Sequence, residues 1–319
     1  MKIAVIKGSS LGDILTGIPA LRSLRRHYPD AKIILVHSYA GSGMPLIREC
    51  PYIDEAIMIP GLSVIRNILR LRKERIDIAI DGFPNTRLSS LLTMLIGAGK
   101  TASYLNPRNV LSFVYDLKAE EKGDAVQLEQ AILALLGVKG SGKMEITVPE
   151  SCKKMTHPFI AVNAGKDDNF CRTWVGTKWA ELIRAASKRY GCYFVLVGGK
   201  DGVKKAREIE KLVPDVMNMA GKTTLDEMIC IISQCDAFIS INGGPMHVAA
   251  ALGKKQIVLN GPSLLQWNPH NPKAVCLGGR KLCDTKCDDN YCKFGDARCV
   301  KWITPAQVLE KLDAMLATR

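Results

Sequence analysis

Aromatic side chains are scarce, at 6% of 319 residues. No basic stretch is interleaved with aromatics for stacking bases and no common nucleic-acid motif is visible, which weighs against the nucleic-acid-binding protein that charge alone would permit. No apolar run reaches the ~18 residues needed to span a bilayer. The longest, around Leu91 to Ala98 and Ala131 to Val138, suit buried helix faces. There is no internal repeat and no low-complexity segment. The G-x-G-x-x-G of a dinucleotide binder is missing too: the loop after the first strand has glycines only at 8 and 12, which disfavours a nicotinamide cofactor. Met1 to Lys7 runs straight into that loop with no charged leader and cleavage site, so the expectation is a cytoplasmic protein.

What is present is globular: 47% apolar, 24% charged, and long enough for two domains of about 150 residues. The formal charge is +13, divided as +4 over residues 1–150 and +9 over the rest. Short Val- and Ile-rich runs alternate with amphipathic stretches, the pattern of strands buried on both faces with helices over them. Strands are expected at 2–7, 32–37, 55–59, 77–81 and 101–105, with helices at about 14–27, 62–75, 86–97 and 124–137. Gly140, Gly142, Pro149 and Pro158 interrupt the pattern and mark a linker. It resumes with strands at 159–163, 193–198, 236–241 and 255–260 and helices at about 177–190, 202–212, 224–234 and 245–252. A last helix, about 304–317, has Thr304 as N-cap and Pro305 at its first position. Each half is therefore an α/β, doubly wound, Rossmann-like domain, assigned as 1–153 and 154–319.

In such sheets ligands bind outside the carboxyl ends of the strands. Three segments fall there. Lys7-Gly8-Ser9-Ser10-Leu11-Gly12-Asp13 brings a carboxylate to a loop-to-helix junction, where Asp13 either acts as an acid or base or simply caps the helix. Ile241-Asn242-Gly243-Gly244-Pro245-Met246-His247 opens a helix whose free amides suit an anion such as a diphosphate, unless it is only a tight turn. Asn163 to Trp174 carries Arg172, either a phosphate fork or a solvated side chain.

These residues resemble glycosyltransferase family 9, the ADP-heptose:lipopolysaccharide heptosyltransferases. The likeness lies in Lys7 to Asp13 with Pro19-Ala20-Leu21, in Asp77 to Gly82 followed by Arg87, and in Gly221-Lys222-Thr223-Thr224-Leu225. Gly243 to Gly253 and Gly261-Pro262-Ser263 continue it in family order. The resemblance implies a GT-B fold, two Rossmann-like domains facing a central cleft, with acceptor in the first and nucleotide sugar in the second. The last helix is expected to pack back on the N-terminal domain. It further implies inverting transfer without a catalytic metal, with Asp13 as base and Lys7, Ser10, Gly12, Asp81 and Arg87 on the acceptor side. The donor's diphosphate would lie against Arg172, Thr223, Thr224, Asn242 and the amides of Gly243, Gly244, Met246 and His247. Pro245 cannot donate, and Lys7 either adds positive charge near the cleft or is solvated. The implied partners are ADP-heptose and the lipopolysaccharide core; within the same class, another nucleotide sugar or a protein hydroxyl remains open. Two departures stand out. Asn242-Gly243-Gly244 replaces the Asp-Ser-Gly or Asp-Thr-Gly of many members, and Trp174-Val175 replaces Trp-Pro.

Eleven cysteines divide into six scattered ones and five between Cys276 and Cys299. Cys283, Cys287, Cys292 and Cys299 supply four thiols, enough for a tetrahedral structural Zn or Fe, though disulfides or free thiols fit the spacing as well. Metal-bearing, protein-modifying relatives within the family favour the metal. Arg66, Arg70, Arg72, Lys73 and Arg75 lie along one amphipathic helix, suited to an anionic membrane surface or phosphorylated glycolipid, or to plain solvation. A peripheral protein on the inner face of the plasma membrane is the corresponding expectation.

Overall fold

A computed structural model describes residues 1–37, 41–59, 64–82, 86–107, 109–166, 173–261, 265–278, 287 and 292–317. The chain divides into two compact units, Met1–Glu145 and Ile146–Arg319. In the first unit the order is β1 (Lys2–Ile6), α1 (Leu11–His27), β2 (Lys32–His37), α2 (Met44–Arg48), β3 (Glu55–Met58), α3 (Val64–Glu74), β4 (Ile78–Asp81), α4 (Arg87–Ile96), β5 (Lys100–Tyr104), β6 (Leu117–Ala119) and α5 (Ala125–Leu135). The second holds β7 (Phe159–Asn163), α6 (Gly176–Tyr190), β8 (Tyr193–Leu196), α7 (Val203–Leu212), β9 (Met217–Asn218), α8 (Leu225–Gln234), β10 (Ala237–Ile241), α9 (Gly244–Ala251), β11 (Gln256–Asn260), β12 (Ala274–Gly278), α10 (Arg298–Lys301) and α11 (Pro305–Ala317).

Both sheets are parallel and share one winding. The first is ordered β3-β2-β1-β4-β5-β6 and the second β12-β11-β10-β7-β8-β9. In each, the chain starts in the middle, walks to one edge and returns to build the other. The reversal falls between β1 and β4 in the first sheet and between β7 and β10 in the second. Crevices open at the carboxyl ends of such reversals. Burial on both faces explains the unbroken apolar runs: β7 and β11 are buried at every position.

The first sheet packs Ala4, Ile6, Ile34 and Val36 against Ile68 and Leu71 of α3 and Leu92 and Ile96 of α4. In the second, Ile239 and Ile257 meet Trp179 and Ile183 of α6 and Val308 and Leu312 of α11. The final helix thus buries its apolar face in the second unit. Thr304 caps it through a reciprocal pair of bonds with Gln307, of 2.9 and 3.2 Å. Buried Arg22 of α1 ties down the end of the first unit, reaching Lys143 O at 2.8 Å and Glu145 at 2.6 Å.

Three edge strands, β6, β9 and β12, and the short helices α2 and α10 were not expected. They are edge or peripheral pieces, too short to show a period. One cross-link joins two of the scattered cysteines, Cys152 and Cys230 on α8, with Cα atoms 5.4 Å apart. No described helix is long and apolar enough to cross a membrane.

Candidate active site

Helix α1 begins three residues earlier than its apolar pattern suggests, because Ser10 caps it in an extended conformation. Asp13 therefore occupies the third helical position and closes a capping box. Its N–H donates to Ser10 Oγ at 3.3 Å, and its Oδ2 accepts from Ser10 N at 3.2 Å and from Ser10 Oγ at 2.6 Å. Among the described residues Oδ1 accepts no hydrogen bond. The two roles left open for Asp13 are thus compatible, since one oxygen serves the cap and the other is left over. The carboxyl group leans over Gly8, where any Cβ would stand 2.2 Å from Oδ2. A second segment clasps the loop: Gly41 N donates to Ser9 Oγ (3.2 Å), Gly43 N to Ser9 O (2.9 Å), and Ser42 Oγ accepts from Leu11 N (3.0 Å). The Gly-Ser-Gly run past the second strand was the available signal for this clasp.

Lys7 does not present its charge to solvent. Its side chain is buried and its ammonium is paired with Glu129 of α5. The side chain crosses α1 at Gly17, where a Cβ would lie 2.3 Å from Lys7 Cε. Asp81, at the end of β4, is fully buried as well. Its Oδ2 accepts from Tyr115 OH, and its Oδ1 has no partner of normal hydrogen-bond geometry. Burial pushes its carboxyl up to about 7, against the opposing pull of Tyr115, Ser89 and Lys7. Lys7 and Asp81 thus sit within the packed unit and not on an exposed acceptor surface. Ser10 is the cap, Gly12 lies in the first turn and accepts from Thr16 Oγ1 at 3.0 Å, and Arg87 is exposed at the start of α4. Glu129 carries no sequence signal: it lies 122 residues from its partner.

In the second unit the reversal is lined by neutral amides. Asn163, closing β7, donates to Val197 O at 2.8 Å. Asn242, just past β10, donates to Asn260 Oδ1 at 3.2 Å and to Trp267 O at 3.1 Å, and Asn260 donates onward to Asn268 Oδ1 at 2.8 Å. Asn260 and Asn268 were not singled out from sequence. Gly243 and Gly244 lead into α9 with Pro245 in its first turn, leaving amides at the helix start. Met246 is not among them, because its N–H donates to Gly243 O at 3.1 Å. His247 is buried on the helix. Thr224 caps α8, with its hydroxyl and N–H both engaged by Glu227, which withdraws it from the expected donor set. Thr223 is half-buried just ahead of it, and Arg172 lies outside the described residues. A separate groove of about 970 Å³, lined by Lys254, Lys255 and Lys273 among others, opens at the amino ends of these strands, away from the reversal.

Of the four clustered cysteines, Cys283 lies outside the described residues. Cys287 and Cys292 are buried in contact with each other. Their sulfurs accept from Lys293 N at 3.2 Å and Ala297 N at 3.3 Å. Cys299 is buried on α10. Among the described residues no three potential metal ligands come together.

Residues 64–297 match glycosyltransferase family 9 (heptosyltransferase). The chain is 28% identical to lipopolysaccharide heptosyltransferase 2 of Escherichia coli K12, over 99% of each chain. Its fold matches the solved structure of E. coli ADP-heptose lipopolysaccharide heptosyltransferase II, with a TM-score of 0.72, 24% identity and 99% of both chains covered. It also matches, with a TM-score of 0.62 and 14% identity over 99% of this chain and 77% of that one, the dodecameric iron-containing heptosyltransferase TibC from enterotoxigenic E. coli, solved with ADP-D-β-D-heptose. Two parallel six-stranded sheets clothed in helices are the GT-B architecture. With nearly three quarters of its length inside the family match, the chain is a glycosyltransferase that belongs to family 9.

Proposed function

We propose that the chain is an inverting transferase moving heptose from ADP-heptose to a hydroxyl of the lipopolysaccharide inner core, as a peripheral protein on the cytoplasmic face of the membrane. The observation that carries this reading is Asp13, with Oδ2 fixed by Ser10 and Oδ1 uncommitted at the β1/β4 reversal. The relatives' names supply the sugar and the acceptor. Asp13 Oδ1 takes the proton of the acceptor hydroxyl as that oxygen bonds to the anomeric carbon. The bond from that carbon to the diphosphate breaks on the opposite face, and its electron pair leaves with ADP. The free amides of Gly243 and Gly244 at the start of α9, with Arg172, stabilise the charge that builds there. A second reading, transfer from another nucleotide sugar, is favoured by Asn242, whose amide is committed to Asn260 and Trp267 where many relatives have a carboxylate.

The cysteine loop is assigned a structural metal, Zn or Fe, taking no part in transfer and held by Cys287 and Cys292 with Cys283; Cys299, which does not group with them, would have to close on the pair to be the fourth ligand. Paired buried sulfurs that already accept backbone N–H bonds suit thiolate ligands. Elemental analysis of native protein is expected to find about one metal per chain; fully folded, metal-free protein overturns the assignment.

The test of function is nucleotide release from a panel of nucleotide sugars with a deep-truncated lipopolysaccharide acceptor. ADP release from ADP-heptose is expected, and Asp13→Ala is expected to lower kcat by roughly 10²–10⁴. Release from a different nucleotide sugar alone selects the second reading, and normal turnover by Asp13→Ala removes the base.

A further inference from the structure

Helix α4 is apolar on both sides. Its inward face buries Leu92 and Ile96 beside Ser90 and Thr93, whose hydroxyls donate to Thr86 O (3.0 Å) and Ser89 O (2.8 Å). Its outward face carries Leu88, Leu91 and Met94, between 40% and 64% exposed. A helix with an apolar core face that also shows water a row of large apolar side chains at three-residue spacing lacks the polar outer face of an ordinary surface helix. One exposed leucine is ordinary, but this row has neighbours. The turn beside it is fastened to Ser90 by Tyr115 OH (2.6 Å) and Asn109 Nδ2 (2.7 Å), and there Val110 and Phe113 are 68% and 72% exposed. On the other side, α3 packs on α4 and exposes Ile65 and Leu69.

Cations border the apolar surface. Arg72 reaches the end of α4, its guanidinium 3.9 Å from where a Cβ on Gly97 would be. Arg87 stands at the helix start, and Arg66 and Lys73 line the outer side of α3. Among the described residues none of these four has an ion pair, whereas Arg70 on the same helix is paired with Glu55. Every exposed charge on α3 and α4 is positive.

We propose that the outer face of α4, the 110–113 turn and the flank of α3 form a membrane-docking surface that inserts Leu88, Leu91, Met94 and Phe113 among the acyl chains of an anionic bilayer. Arg66, Arg72, Lys73 and Arg87 meet the lipid phosphates. Apolar side chains ringed by unpaired cations match the two layers of such a surface, hydrocarbon below and negative headgroups above. The inference rests on the membrane placement in the proposed function and on no step of the transfer reaction, so it can stand or fall apart from donor and acceptor identity.

The experiment is flotation of the full-length chain with vesicles of phosphatidylcholine alone or with 30% phosphatidylglycerol, about 30% being a working composition for a clearly negative surface. Wild type is expected to float with the anionic vesicles. Leu88→Ser combined with Met94→Ser and Phe113→Ser is expected to lower the bound fraction at least about tenfold, and Arg66→Gln with Lys73→Gln to lower it and flatten its salt dependence. These positions are solvent-facing, so unchanged thermal melting identifies folded variants. As an independent readout, the indole of Phe113→Trp is expected to shift to the blue on binding and to be quenched by lipids brominated on their acyl chains. Absence of anionic-vesicle binding by wild type, or unaltered binding of the triple serine variant, overturns the proposal. So does a dimer in solution that the serine substitutions dissolve without any vesicle binding, which would make the patch a contact between copies.

Discussion

The two units wind their sheets identically and furnish the reversal point differently. In the first, the crevice stands on ionisable groups: Asp13 at its edge, and Lys7, Glu129 and Asp81 buried in the same unit. In the second, the described residues at the corresponding place are neutral, Asn163, Asn242, Asn260 and Asn268 with two glycines. Buried charge is costly to assemble and is retained where a carboxylate must be held in one orientation. In the proposed reaction, free N–H groups at the start of α9 would favour a diphosphate there. One winding therefore carries two different sets of polar groups.

Exchanging character between the units sharpens the contrast. The largest effect is expected from Lys7→Met, which leaves Glu129 buried without its cation and should lower stability by about 3–5 kcal/mol in urea unfolding. Adding Glu129→Leu should restore most of that loss; a single variant as stable as wild type would show that the pair does not support the loop. Next comes Asn242→Asp, which turns a donor toward Asn260 Oδ1 and Trp267 O into a carboxylate facing two oxygens. A loss of about 1–3 kcal/mol is expected, with a higher KM for the nucleotide sugar and little change in affinity for acceptor. The reverse exchange, Asp81→Asn, is read as a change in the pH dependence of stability. Because burial raises the Asp81 carboxyl to about 7, the folded state keeps a proton that the unfolded chain loses near pH 4. Its contribution to stability is complete below about pH 4 and is lost as pH rises to about 7, at up to about 1.4 kcal/mol per pH unit. Melting curves across pH 4–8 should lose that slope in Asp81→Asn, and an unchanged slope would assign it to another group.

Much of this was legible in the sequence, and what was not has a common physical cause. The loop after β1 and the opening of α9 announce themselves because strands buried on both faces are continuous apolar runs, and glycines follow at their carboxyl ends. Glu129 and Tyr115 are invisible because they act across long sequence separations, and a lone Glu on a helix reads as a solvated side chain; Asn260 and Asn268 are close in sequence but read as ordinary loop amides. Met246 follows from its place at a helix start and Thr224 from the family resemblance; which amide is already engaged depends on the local hydrogen bonding of the turn. The extent of α4 is readable from its pattern, while its second, exposed apolar row emerges only when the sheet fixes which side of the helix is inside.

The clasp of residues 41–43 on Ser9 means that the geometry of the acid is encoded in two places about thirty residues apart. Moving residues 7–13 alone into another parallel sheet would transplant the sequence of the loop without its shape. A graft would need the piece after β2 as well, cut to the same length. The same coupling constrains divergence: an insertion after β2, far from Asp13 in the chain, would reach the carboxylate through Ser9, so length changes are expected to be tolerated elsewhere on the unit's surface before they are tolerated there.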